Sequence, residues 1–255
     1  MRNVWIICRK ELGTYFVSPI AYILLIIFGV VFGYMFWGIL QIFLLQSMEM
    51  QIRGQMFPMN LNEQLIPPLL ANVSTIGLFL IPLITMRLFA EEKRNGTIEL
   101  LATSPVRDIE IILGKWLAAM GLYCCLLLFT AADFSFLFRY GSPDWKPLAV
   151  GYLGLLLQAG ALLAIGTFIS TLTKNQIVAG AVTFAVCLLL GLMDWLTEYD
   201  FSTLARVLSY LSVFTHFDSF RKGVLDSKDA IFYISVIFLG LFFTARSMES
   251  LRWRS

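Results

Sequence analysis

Four stretches of this chain carry no Asp, Glu, Lys or Arg over a length comparable to the thickness of a lipid bilayer. They run from Leu12 to Met48, Gln64 to Met86, Pro147 to Thr173 and Asn175 to Met193. A helix needs roughly 20 mostly apolar residues to cross the hydrocarbon core, and four such runs have no place in a soluble core. Two further candidates have compromised ends. Trp116 to Leu137 is interrupted by Asp133, and Ala230 to Ala245 is short but bounded by Arg246, a side chain that can snorkel. The composition agrees. Only 14% of the 255 residues are charged and 58% are hydrophobic, whereas a soluble domain carries about 25% charged residues. An ordinary soluble enzyme is thereby disfavoured. A disordered chain is excluded, because it would be charged and poor in aromatics. With a net charge of +2 there is no bulk basic surface for nucleic acid.

These runs place six spans at about 20–45, 69–89, 111–138, 148–172, 176–195 and 231–248. They must be helices, because lipid cannot satisfy free backbone groups and the alternation of a barrel strand is missing. The N-terminus does not read as a cleavable signal, since the apolar run after Leu12 is too long for a signal core. Lys and Arg set the orientation. With the N-terminus inside, the inner segments hold twelve of them and the outer segments seven, so both termini are expected in the cytoplasm. Before the first span, residues 3–17 repeat Val4, Cys8, Leu12 and Tyr15/Phe16 at helical spacing, with Arg2, Arg9, Lys10 and Gly13 away from that stripe. The pattern predicts an amphipathic helix lying on the inner membrane surface. Ser18-Pro19 then breaks it. The outer segment 200–229 is expected to hold two short helices. One has Leu204, Val207, Leu208 and Leu211 on a face, with Ser202 or Thr203 as cap. The other has Phe217, Phe220 and Val224.

Few residues offer chemistry. No glycine-rich phosphate loop ending in Gly-Lys-Ser/Thr is present, and no Gly-x-Ser-x-Gly. The sole histidine, His216, cannot build a zinc site with Glu91 and Glu92, and it reads as a polar residue at the outer interface. Met48, Met50, Met56 and Met59 offer soft thioethers of a kind that binds Cu(I), although apolar contact at the membrane edge explains them more simply. Cys8, Cys124, Cys125 and Cys187 show no disulfide spacing and read as small packing residues. No catalytic, cofactor or metal residue is expected on this chain.

Polar and small groups inside the spans invite a structural or a functional reading. Asp133 lies 18 residues after Lys115, about 27 Å along a helix, which puts it near the outer end of the third span as a solvated carboxylate. Gln158 lies well inside the fourth span and either bonds across helices or faces a substrate path. Gly29 and Gly33 form a Gly-x-x-x-Gly, a candidate for dimer or bundle packing.

The most informative stretch is 91–107, between the second and third spans. Glu91-Glu92-Lys93-Arg94 concentrates charge, Asn95-Gly96 makes a turn, and Thr97 to Ala102 is expected to form a short helix exposing Ile98, Leu100 and Leu101, with Pro105 closing it. Apolar knobs on a helix outside the membrane suit a groove in a partner; an interfacial loop lying on lipid is the plainer alternative.

This stretch resembles the signature of ABC type-2 transporter permeases, Glu-Glu-x-x-x-Gly-Thr-x-x-x-Leu-x-x-x-Pro, through Glu91, Glu92, Gly96, Thr97, Leu101 and Pro105. The similarity extends to Arg9-Lys10-Glu11-Leu12, to Tyr15-Phe16-x-Ser18-Pro19-x-Ala21-Tyr22 and to His216 through Asp226. These end motifs are most similar to gliding-motility and nitrous-oxide-reductase maturation permeases. The resemblance implies an all-α membrane protein formed by 1–255 as a single permease domain, with an elbow helix, six spans and outer helices between spans five and six. It implies a cytoplasmic ABC ATPase subunit as partner, which binds the ATP and Mg, and a second permease copy or paralogue. An extracytoplasmic or membrane accessory protein would complete the complex. It assigns Glu91, Glu92, Gly96, Thr97, Ile98, Leu100, Leu101 and Pro105 to coupling with the ATPase, in the inner membrane. A secondary carrier is disfavoured by the scarcity of midplane charge; a passive channel or a membrane scaffold is the remaining alternative.

Overall fold

In the computed structural model, residues 2–53, 61–98, 106–141, 143–197 and 210–252 are described. Among them are ten helices and no strand. They are α1 (Arg2–Val17), α2 (Pro19–Ile52), α3 (Leu61–Gln64), α4 (Ile66–Thr85), α5 (Ala90–Asn95), α6 (Asp108–Tyr140), α7 (Trp145–Leu172), α8 (Gln176–Thr197), α9 (Val213–Arg221) and α10 (Ser227–Arg252). Six of these regions are long and apolar enough to cross a membrane, so the chain is a multi-pass membrane protein. All the crossing helices but α4 overrun their apolar runs, because charged residues at the ends still make helical backbone bonds. Thus α2 extends past Glu49, and α6 begins at Asp108. Ser18 accepts the Ile20 N–H at 3.4 Å and Pro19 occupies the first turn of α2. The break read from Ser18-Pro19 is therefore a helix cap.

Helix α7 forms the centre and packs against α4, α6, α8, α9 and α10. Small residues allow this, since apolar side chains gain little by leaving lipid and close backbone approach supplies dispersion instead. A Cβ added at Gly154 would overlap Phe220 of α9, and one at Gly166 would overlap Thr85 of α4. The helices α2, α8 and α10 are peripheral. Their most apolar windows are only 22%, 22% and 28% buried, against 67% for the α4 region, so they present broad apolar faces outward. Gly29 meets only Phe129, at 3.7 Å from its added Cβ, and Gly33 meets nothing within 4 Å. Packing of this pair inside the bundle does not occur at Gly33, which lies on the open face of α2.

The expected N-terminal helix is present as α1, and its apolar stripe is turned to the bundle: α1 lies along α6, with Ile7 against Gly114 and Leu12 against Gly121, and Cys8 and Tyr15 are buried. The face left open instead carries Arg2, Trp5, Ile6, Arg9, Lys10 and Val17.

Candidate functional site

The signature stretch sits where α4 ends. Helix α5 has Glu91 and Glu92 in its first turn and Lys93 and Arg94 in its last, the charge order that the helix dipole favours. Gly96 closes it with φ 72°, in the left-handed region. There a non-glycine residue pays roughly 1–2 kcal/mol. The Gly96 N–H and the Thr97 N–H both reach Glu92 O. The turn expected at Asn95-Gly96 is present, but the described helix precedes it rather than following it. Ile98 is half-buried against the core instead of exposed, because the turn folds the chain back onto the bundle. Leu100, Leu101 and Pro105, and most of the helix expected at Thr97 to Ala102, lie outside the described residues.

Six residues do not make a stable helix alone, so α5 depends on its neighbours. Its N-cap position, Phe89, has no capping side chain of its own. The cap comes from α7, where the buried Ser170 Oγ accepts the Phe89 N–H and the Ala90 N–H, each at 3.1 Å. Lys93 donates to the Thr171 carbonyl at the end of α7, and Thr171 Oγ1 donates to Ser247 Oγ of α10 at 2.8 Å. Burial, and then repulsion from Lys174, holds the Lys93 amine below its ordinary value.

The other side of α5 is tied by charge. Lys115 of α6 is 2% exposed, and its Nζ lies 2.8 Å from Glu92 Oε1 and 3.0 Å from Glu11 Oε1 of α1. It also stands 5.3 Å over the Phe89 ring. Arg87 pairs with Glu91 at 3.0 Å and donates to Ser18 Oγ at 3.3 Å, and Tyr15 OH donates to the Ile84 carbonyl at 3.0 Å. Burial first, then the charges of Glu11 and Glu91, pushes the Tyr15 phenol up, which keeps it a neutral donor. Glu92 thus fastens α5 to α6 and, through Lys115, to α1, Glu91 fastens it to Arg87 in the turn after α4, and Ser170 and Thr171 fasten it to α7. Ser170 and Lys115 escaped sequence reasoning as site residues. A serine near a helix end and a lysine near a membrane boundary are individually unremarkable, and only the fold brings them to α5.

Elsewhere, Gln158 is buried inside the bundle and accepts from Ser74 Oγ of α4 at 2.7 Å, while its Nε2 is buried without a partner among the described residues. The bond across helices is present. Swapping the amide atoms would only move the orphan, since one serine hydroxyl meets one of them. His216 is buried, at 4% exposed, and bonded on both ring nitrogens. Asp133 is half-buried. Cys8 and Cys187 are buried, Cys125 half-buried and Cys124 exposed. Met48 is exposed and Met50 half-buried on α2; Met56 and Met59 lie outside the described residues, as do Leu204, Val207, Leu208, Ser202 and Thr203. Phe217 and Phe220 are buried in α9, whereas Val224 lies beyond its end and is exposed.

A family model described as ABC-2 family transporter protein matches residues 45–245, more than three quarters of the chain. The match begins inside α2, so α1 and its Glu11 lie outside it. No curated protein matches this sequence.

Proposed function

The chain belongs to the ABC-2 family of transporter membrane proteins, the permease subunits of ABC transporters, and from that premise we propose that it couples ATP hydrolysis on a separate ABC ATPase to export. The observation that carries this reading is the anchorage of α5. A segment that receives a push must not deform before the push reaches the spans. Ser170 ties α5 to α7, and Glu92 ties it through Lys115 to α6 and α1. Both polar ties are shielded by burial and resist loosening.

In this reading the end of the bundle bearing α1, α5 and the C-terminus faces the cytoplasm of an inner-membrane complex. Residues 97–105, with Ile98, Leu100, Leu101 and Pro105, meet the ATPase, which holds the ATP and Mg. Closure of two ATPases drives two copies of α5 together, and the spans rock between inward and outward openings. A second permease copy or paralogue covers an outward apolar face of the bundle. The work is delivered either as movement of a cargo or as force on an extracytoplasmic partner.

The test is purification of the tagged chain from its native membrane in mild detergent. An ATPase with phosphate-loop motifs should co-purify, and Leu101→Asp should abolish that while leaving membrane insertion intact. An ATPase retained undiminished by the Leu101→Asp protein sinks the docking assignment. No ATPase at all moves the reading to a scaffold or channel.

A further inference from the structure

The single histidine of the chain is held in a way that a neutral imidazole cannot satisfy. Nδ1 of His216 lies 2.8 Å from Asp229 Oδ1 and Nε2 lies 2.9 Å from the Tyr210 carbonyl. A backbone carbonyl only accepts, an ionised carboxylate only accepts, and a neutral imidazole has one N–H. Both contacts become hydrogen bonds only when the His216–Asp229 pair holds one proton more than a neutral ring and a carboxylate. That proton sits either on the ring or on Asp229, and the count is the same. The ring is stacked on Phe232 at 3.9 Å, with Tyr210 and Tyr233 edge-on at 5.0 and 6.3 Å. Both partners are buried, at 4% and 8% exposed, so water cannot readily replace either bond.

The pair spans a joint. His216 belongs to α9 and Asp229 to the first turn of α10. Helix α9 is wedged into the bundle end opposite α5. Its Phe217 and Phe220 lie on Gly154 of α7 and its Phe214 on Gly191 of α8. Gly154 and Ser170 stand 16 residues apart on α7, about 24 Å along the helix. The Val213 carbonyl is bound by Tyr233 OH at 2.7 Å. A groove of about 390 Å³ opens between α9 and α4, lined by Ala71, Thr75 and Asp218 among others, so α9 is not fully covered on that side.

We propose that the His216–Asp229 pair is a proton-held latch on α9: the helix stays seated while the pair keeps the extra proton and is released when it is lost. Around the ring, α9 itself contributes Asp218, which is ion-paired with Arg221 and Lys222. The connection to α10 contributes Asp226 and Lys228, 3.8 Å apart. Tyr210 and, from α10, Asp229 and Tyr233 are the other titratable groups around it among the described residues. Helices α7 and α8 meet α9 at Gly154 and Gly191, and Ala71 and Thr75 of α4 line the groove beside it; none of these titrates. The sign follows. Seated α9 binds one proton more than released α9 once free imidazole, which titrates near 6.5, has become neutral. Raising the pH therefore favours release.

Because the chain has one histidine, ¹⁵N-imidazole labelling of the full-length protein in nanodiscs reports this site alone. The latch predicts that the ring spectrum changes with pH between 6 and 9 together with the rise in hydrogen exchange of 210–221, corrected for intrinsic exchange chemistry. Asp229→Asn supplies an N–H to Nδ1 and frees Nε2–H for Tyr210, so a neutral ring satisfies both contacts. Its exchange should stay low and flat across that range. A wild-type ring spectrum or 210–221 exchange that does not move over this range overturns the latch. So does an Asp229→Asn protein whose 210–221 exchange is as pH-dependent as wild type. If that variant does not fold, the coincidence of the two wild-type curves decides alone.

Discussion

Replacing Ser170 by alanine should loosen α5 without unfolding the bundle. Its hydroxyl accepts two N–H groups, those of Phe89 and Ala90, both residues fully buried. Alanine offers no acceptor, and the burial that shields the bonds also keeps water from substituting. A buried donor left unsatisfied costs about 1–3 kcal/mol, and loss of an ordinary helix cap about 1 kcal/mol. Taking the low end for each donor gives about 2 kcal/mol, or about thirtyfold in the local opening equilibrium. The amides that report it are those of Lys93, bonded to Phe89 O, and Thr97, bonded to Glu92 O, both at 3.0 Å. Hydrogen exchange at these two amides should accelerate by about that factor, with α7 amides such as those of 160–166 unchanged. Ser170→Thr keeps the hydroxyl and should restore most of the protection. In a coupled system the alanine variant should hydrolyse ATP with less transport per turnover. Unchanged exchange at Lys93 and Thr97 in a folded Ser170→Ala protein would refute the claim that α7 caps α5.

Other consequences follow from the same geometry. Lys115→Met leaves Glu11 and Glu92 facing each other without their shared cation; breaking a buried pair costs about 3–5 kcal/mol, so the midpoint of thermal unfolding should fall clearly, and Glu11→Gln with Lys115→Met should recover part of it. Gly96→Ala forces a Cβ into a left-handed turn at about 1–2 kcal/mol, read as faster exchange of the Thr97 amide, whereas Gly96→Asn should cost less. Gln158→Met removes the orphaned amide, and Ser74 can then bond back within its own helix; stability should hold or rise, so a loss of transport with stability intact would place Gln158 on a substrate path. Asp218 is pushed up by burial, but Lys222 and Arg221 outweigh this and hold its carboxyl below the ordinary 3.8; its contribution to stability is present above that value and is lost as pH falls through the lowered one, a slope that Asp218→Asn should remove from an acid-unfolding curve.

Spans, their number and the glycine turn were legible in the sequence for a local reason. Whether 20 residues can sit in lipid depends on those residues alone, and whether Gly96 turns left depends on its missing Cβ. The glutamates of the signature were legible as a pattern, though not what they hold. That depends on residues far along the chain: Lys115 meets Glu11 across 104 positions, and Ser170 meets Phe89 across 81. The α1 stripe shows the same limit. Helical spacing identified an apolar face correctly, but lipid and a glycine-lined groove on α6 both accept such a face, and only packing chose α6. His216 was legible only as a polar residue near a membrane edge; its burial comes from Phe232, Asp229 and Tyr210, which only the fold brings to it. Sequence therefore determined which segments must leave water, since that is a property of each segment's own surface. The tertiary structure decided which polar groups those segments carry to one another, since a buried polar group takes its partner from whatever the packing brings within reach.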